Sequence, residues 1–172
     1  MSNIRRVLHS SDSNEWYTPA RYIDAARDVM GAIDVDPASC EASNQIVKAS
    51  TFYDITRNGL LYDWPGKVFL NPPYGKTANR SNQDIWSARL IQQYQAGITT
   101  EAVLLVNAVT DRRWFQRLWV YPVCFTNHRI KFYNAAGTPN QPTNGNAFVY
   151  LGKNQNKFSE VFRQFGVIVK AI

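Results

Sequence analysis

Short apolar runs alternate along the chain with amphipathic stretches, and this alternation predicts an α/β sheet. Residues 20–30 carry apolar positions at helical spacing. Thr18 is placed to cap that helix, Pro19 suits its first position because the missing N–H needs no partner there, and Gly31 ends it. Residues 33–35 read as a short strand that runs into Asp36-Pro37-Ala38-Ser39, a turn opening a second helix through Val47. A buried strand at 67–70 (KVFL) stops at Asn71-Pro72-Pro73-Tyr74, where two prolines forbid further ladder pairing.

Beyond it, the pattern predicts a polar loop at 75–84, an amphipathic helix at 85–95 and a strand at 102–106 (AVLLV). A helix at 111–119, short strands at 123–125 and 130–132 and a turn-rich loop at 134–145 come next. Strands at 147–151 and 166–171 flank a helix at 158–165. The chain has no repeat and no dividing linker. Residues 1–14 are polar and Ser-rich and read as a flexible arm ahead of one domain, 15–172.

The length of 172 residues suits one domain with its own core, and 45% hydrophobic with 19% charged residues is an ordinary globular balance. A formal net charge of +6 fits a polyanionic partner. Two cysteines, Cys40 and Cys124, and two histidines lack the spacing of a zinc site, so no metal is expected. No apolar run is long enough to span a membrane and the N-terminus has no signal-like apolar core. With unpaired cysteines, this predicts a cytosolic protein.

Ligands of open α/β sheets bind outside the carboxyl ends of the strands, and both sharp motifs fall at such ends. Asn71 offers a side-chain carbonyl, Pro72 a backbone carbonyl whose direction rigid proline geometry helps to fix, and Tyr74 a flat ring. Two carbonyls can accept both hydrogens of an exocyclic amine on a planar base. They favour a tetrahedral nitrogen, free its lone pair and stabilise the charge that develops on it during alkylation. A base inside a duplex reaches such a pocket only by flipping out.

The run Asn71-Pro72-Pro73-Tyr74 resembles the catalytic motif of amino-group DNA methyltransferases. Further stretches resemble the phage-type DNA N6-adenine methyltransferase family, which is Dam-like. They are Trp16-Tyr17-Thr18-Pro19, Ile33 to Ser39, Asn58-Gly59-Leu60 with Trp64 and Gly66, Leu104 to Asn107, and Thr110 to Trp114. The resemblance spans Glu15 to Leu151. It implies a Rossmann-like S-adenosylmethionine-dependent methyltransferase fold, a mostly parallel sheet with helices on both faces. The fold is compact, without a separate target-recognition domain. It also implies methyl transfer from S-adenosylmethionine to the N6 amine of adenine in double-stranded DNA, in a host-evasion or restriction-modification setting.

By the same resemblance Thr18-Pro19 lines the methionine end of the cofactor pocket, and Tyr17, Pro37, Ala38 and Asn71 are further cofactor-binding candidates. A carboxylate after a strand binds the ribose hydroxyls, and Asp34 and Asp36 both qualify; Asp36 lies nearer the strand end. The glycine-rich loop common in methyltransferases is absent here. Either residues 36–43 are a reduced form of it, or they correspond to the next acidic strand end. Phe132 resembles an aromatic that packs the flipped base opposite Tyr74. Lys76, Arg80, Arg112, Arg113, Arg129 and Lys131 are the candidate phosphate contacts. Methylation of RNA or of a protein glutamine by the same amine chemistry is the alternative reading, and a non-catalytic DNA-binding remnant is a third.

Overall fold

The computed structural model describes residues 16–134, 137–140 and 142–171; the expected arm at 1–14 lies outside them. In chain order the elements begin α1 (Ala20–Met30), β1 (Val35–Asp36), α2 (Glu41–Val47), β2 (Thr51–Phe52) and β3 (Gly66–Leu70). The hairpin β4 (Lys76–Thr77) and β5 (Arg80–Ser81) leads into α3 (Asn82–Gln95), β6 (Thr99–Asn107), α4 (Arg113–Gln116) and β7 (Val123–Thr126). A second hairpin, β8 (Phe132–Tyr133) and β9 (Pro139–Asn140), precedes β10 (Asn146–Leu151), α5 (Gln155–Phe162) and β11 (Gly166–Val169).

Seven strands form one sheet in the order β11-β7-β10-β6-β3-β1-β2. The half β2-β1-β3-β6 is parallel, but β10 runs antiparallel to both β6 and β7, and β11 antiparallel to β7. The expectation of a mostly parallel sheet therefore holds for one half only. Helices cover both faces, as expected. Alternation along β6 sends Val103 and Leu105 against α1 and α5, and Ala102, Leu104 and Val106 against α3 and the α4 region. The apolar stripe of α1 (Tyr22, Ile23, Ala26, Val29, Met30) is buried on the first of these faces.

Several boundaries differ from the sequence reading. The strand expected at 33–35 is β1 at Val35–Asp36, and β2 is an additional short strand beside it. Residues 75–84 are not a plain loop: Ala78 and Asn79 take positive φ of 48° and 64°, the two-residue turn that closes β4 on β5, and α3 starts at Asn82. The helix expected at 111–119 is helical only over α4, because Leu118, Trp119 and Tyr121 bond to carbonyls three residues back and Pro122 follows. Ile130 is core, and the strand expected at 130–132 is β8, paired outside the main sheet with β9 and with Tyr17. The last helix begins at Gln155 and ends at Phe162.

Candidate active site

The strands β1 and β3 are parallel neighbours, with Val35 opposite Val68. From β1 the chain passes through α2 to β2 on one side, then returns to β3 on the other. Their carboxyl ends are thus a topological switch point, the usual ligand position in open α/β sheets. Asp36-Pro37 lies at the end of one of these strands and Asn71-Pro72 follows the other.

Asn71 is half-buried, and its Nδ2 donates to Thr18 Oγ1 at 3.2 Å and to the Trp16 carbonyl at 3.5 Å. A backbone carbonyl only accepts, so the amide nitrogen must face Trp16. The Asn71 carbonyl oxygen is thereby left without a partner among the described residues. This corrects the reading of Thr18 as a helix cap. Pro19, with ψ of 142°, is the boundary residue of α1 rather than its first helical residue, and the buried Thr18 hydroxyl turns to Asn71.

Tyr74 follows on the same turn. Its carbonyl accepts from Asn82 Nδ2 at 3.2 Å, and the Gly75 carbonyl accepts from the Asn82 N–H at 3.0 Å. The start of α3 therefore clamps the backbone just after the motif. The Tyr74 ring meets Phe132 edge-on, with centroids 6.2 Å apart and planes at 78°. Burial pushes the Tyr74 phenol up to about 12, so it stays protonated at neutral pH. The two rings line an open cavity of about 270 Å³ together with Trp16, Asn107, Asn140 and Thr143. Phe132 is buried.

Asn107 closes the Leu104–Asn107 stretch, and the sequence pattern alone assigns it no role. It ends β6 as Asn71 follows β3, its N–H is held by Gln83 Oε1 at 3.1 Å, and its buried Oδ1 has no partner among the described residues. The signal was available in retrospect: each asparagine is the first polar residue after a buried run, on adjacent parallel strands. Trp16 likewise lines the cavity, with nothing local in the sequence to mark it apart from the Trp16-Tyr17-Thr18-Pro19 pattern.

The two carboxylates separate cleanly. Asp34 Oδ2 accepts from the Lys67 N–H at 2.8 Å, beside the register shift between Gly66 and Lys67. Any side chain at Gly66, which has φ of +82°, would collide with that carboxylate. Asp36 is buried at the end of β1, and among the described residues only its own turn supplies donors, the Ala38 N–H at 3.3 Å and the Ser39 side chain. Burial outweighs those bonds and pushes the Asp36 carboxyl up to about 7.

The turn carrying Asp36 is braced from behind. Gly59 lies against the Pro37 carbonyl so closely that a Cβ has no space. Trp64, fully buried, donates from Nε1 to the Gly59 carbonyl at 2.9 Å, and Asn58 Oδ1 accepts from the Leu60 N–H at 3.3 Å. Tyr17 joins the site through a contact of its hydroxyl with Cys40 Sγ at 3.6 Å, and its backbone pairs with Tyr133.

The six basic candidates have different surroundings. Arg80 binds Asp84 at 2.6 Å, Arg117 also meets Asp84, and the bond from Arg80 leads the effects that hold the Asp84 carboxyl below its usual range. Arg112 lies 3.6 Å from Asp111, Arg113 opens α4, and Lys76 is exposed on the first hairpin. Arg129 and Lys131 line a second cleft, on the far side of β8.

Among the described residues no helix is long and apolar enough to cross a membrane. No curated protein matches the chain. The family model described as DNA N-6-adenine-methyltransferase (Dam) matches residues 6–163, well over half of the sequence and all of the site described above. The chain belongs to the DNA N-6-adenine-methyltransferase (Dam) family.

Proposed function

We propose that the chain transfers a methyl group from S-adenosylmethionine to the N6 amine of an adenine flipped out of double-stranded DNA. The observation that carries this reading is Asn71, whose amide nitrogen is held by Thr18 and Trp16 so that its carbonyl oxygen is the group left to accept. That oxygen and the Pro72 carbonyl accept the two hydrogens of the amine, and the adenine ring stacks on Tyr74. The cavity of about 270 Å³ beside Tyr74 lies just under the usual range for small-ligand pockets, roughly 300–1,000 Å³, which suits a single base.

The residues present fit the cofactor. Asp36 is a desolvated carboxyl short of donors at the switch point, and a ribose diol would supply two. In this reading Tyr17, Thr18, Pro19, Pro37 and Ala38 supply further contacts to the cofactor. Asp34 is assigned a structural role, because its carboxylate is spent on the Lys67 N–H. S-adenosylmethionine supplies an electrophilic methyl carbon on a sulfonium that leaves as a neutral thioether. The chain's own part is to orient the amine lone pair and stabilise the charge developing on N6 through the two carbonyls; the proton that N6 loses passes to water.

Incubation with labelled cofactor and duplex DNA, RNA or protein tests the substrate. Label in DNA supports the reading; label only in RNA or protein contradicts it. DNA binding without any cofactor binding, read by calorimetry, would mark a non-catalytic remnant.

A further inference from the structure

The second cleft, of about 620 Å³, is lined by Pro19, Arg21, His128, Arg129, Lys131 and Tyr133. It shares a wall with the base cavity. That wall is the two-strand bridge in which the Tyr17 N–H donates to the Tyr133 carbonyl at 2.7 Å and the Tyr133 N–H to the Tyr17 carbonyl at 3.2 Å. Side chains alternate across it. Trp16 and Phe132 face the base cavity, while Pro19, Lys131 and Tyr133 face the cleft.

The cleft gathers cations. Six arginines elsewhere (Arg27, Arg57, Arg80, Arg89, Arg112 and Arg117) each lie within ion-pair distance of an aspartate. Among the described residues Arg113 and Arg163 are not so paired, nor are Arg21, Arg129 and Lys131, but the last three line one cleft together. His128 adds no charge: its Nε2 accepts from Arg21 at 3.2 Å and from the Tyr22 hydroxyl at 2.6 Å, and its Nδ1 donates to Asn127 Oδ1 at 2.7 Å. Burial and the Arg21 charge depress its pKa, in keeping with that neutral tautomer. Tyr22 and His128 also hold Arg21, whose guanidinium lies 4.6 Å from the Tyr22 ring centroid. The cleft thus presents three uncompensated cations, one of them held in place.

We propose that this cleft binds the phosphodiester backbone next to the flipped nucleotide, with Arg21, Arg129 and Lys131 each contacting phosphate. A base seated against Tyr74 sends its sugar and phosphates over the Tyr17–Tyr133 wall, and the cations on the other side hold the strand in its extruded path. Such contacts carry no sequence information; they fix register and release counterions. Arg21 was not among the basic residues singled out from the sequence. The inference rests on the proposed DNA substrate.

The test is the salt dependence of binding to a short fluorescent duplex. Each phosphate contact contributes about 0.9 to the slope of log affinity against log salt. We expect Arg129→Gln/Lys131→Gln to lower the slope by roughly two and Arg21→Gln by roughly one, with Arg21→Lys keeping it. Thermal melts identify any variant that fails to fold, and the exposed pair Arg129 and Lys131 decides the matter if Arg21→Gln is unstable. Unchanged slopes in folded variants, beside a parent that binds DNA, would overturn the cleft assignment and leave the proposed activity standing. A parent that binds no duplex at about 50 mM salt would overturn the DNA reading itself.

Discussion

The Thr18 hydroxyl lies 3.2 Å from Asn71 Nδ2, across 53 residues of sequence. With the Trp16 carbonyl it fixes which end of the Asn71 amide is free. The segment before α1 and the turn after β3 therefore form one unit, and the orientation of the acceptor depends on a residue outside the motif.

Replacing Asn71 with alanine should abolish methyl transfer while leaving the fold and cofactor affinity largely intact. Loss of one acceptor at the reacting amine costs on the order of 3 kcal/mol, or more than a hundredfold in kcat. Single-turnover transfer to duplex DNA reads this directly. Near-parental turnover would remove Asn71 from the chemistry.

Thr18→Val keeps the volume but removes the oxygen that holds Asn71. We expect kcat to fall by roughly tenfold, about one hydrogen bond's worth, with a smaller effect than Asn71→Ala. The double variant Thr18→Val/Asn71→Ala should be no worse than Asn71→Ala alone. Additive losses would show that Thr18 acts elsewhere.

The two aspartates should part company. Asp36→Ala should weaken S-adenosylmethionine binding more than Asp34→Ala. Asp34→Ala should instead destabilise the fold by about 1–3 kcal/mol, since it strands the Lys67 N–H. Calorimetric titration and urea unfolding separate the two effects. Equal cofactor affinity in both variants and the parent would take the ribose role from this segment.

Asp36 also sets a pH dependence. Its folded pKa of about 7 lies above the ordinary 3.8, so the folded state holds a proton that the unfolded state has lost. Its contribution to the stability of the free protein is full below about pH 4 and is lost as pH rises through 7. Cofactor affinity should run the other way, rising as the carboxyl ionises toward pH 8, because the diol needs an acceptor. Asp36→Asn should flatten both trends; cofactor affinity independent of pH between 6 and 8 in the parent would count against the assignment.

Much of the site was legible because its signals are local. A buried run broken by two prolines marks a strand end, and the structure puts Asn71 there. The paired acids were visible too, but alternation alone placed them on one face. It took the register shift at Gly66 to show Asp34 bound to the neighbouring strand. What the sequence hid were long-range pairings. Thr18 reads as a cap because caps are the commonest use of threonine before a helix, and only the fold brings Asn71 to it. The pattern Asn58-Gly59-Leu60 with Trp64 and Gly66 was recognisable but mute until Gly59 was seen against Pro37. The Ala78-Asn79 turn lacks the glycine that usually advertises a hairpin.

The most direct measurement is mass spectrometry of nucleosides from unmethylated duplex DNA treated with the protein and isotopically labelled S-adenosylmethionine. We expect labelled N6-methyladenine with the parent chain and labelling at least about a hundredfold slower with Asn71→Ala. Label on cytosine instead, or no labelled nucleoside from a folded parent that binds both DNA and cofactor, would contradict the account.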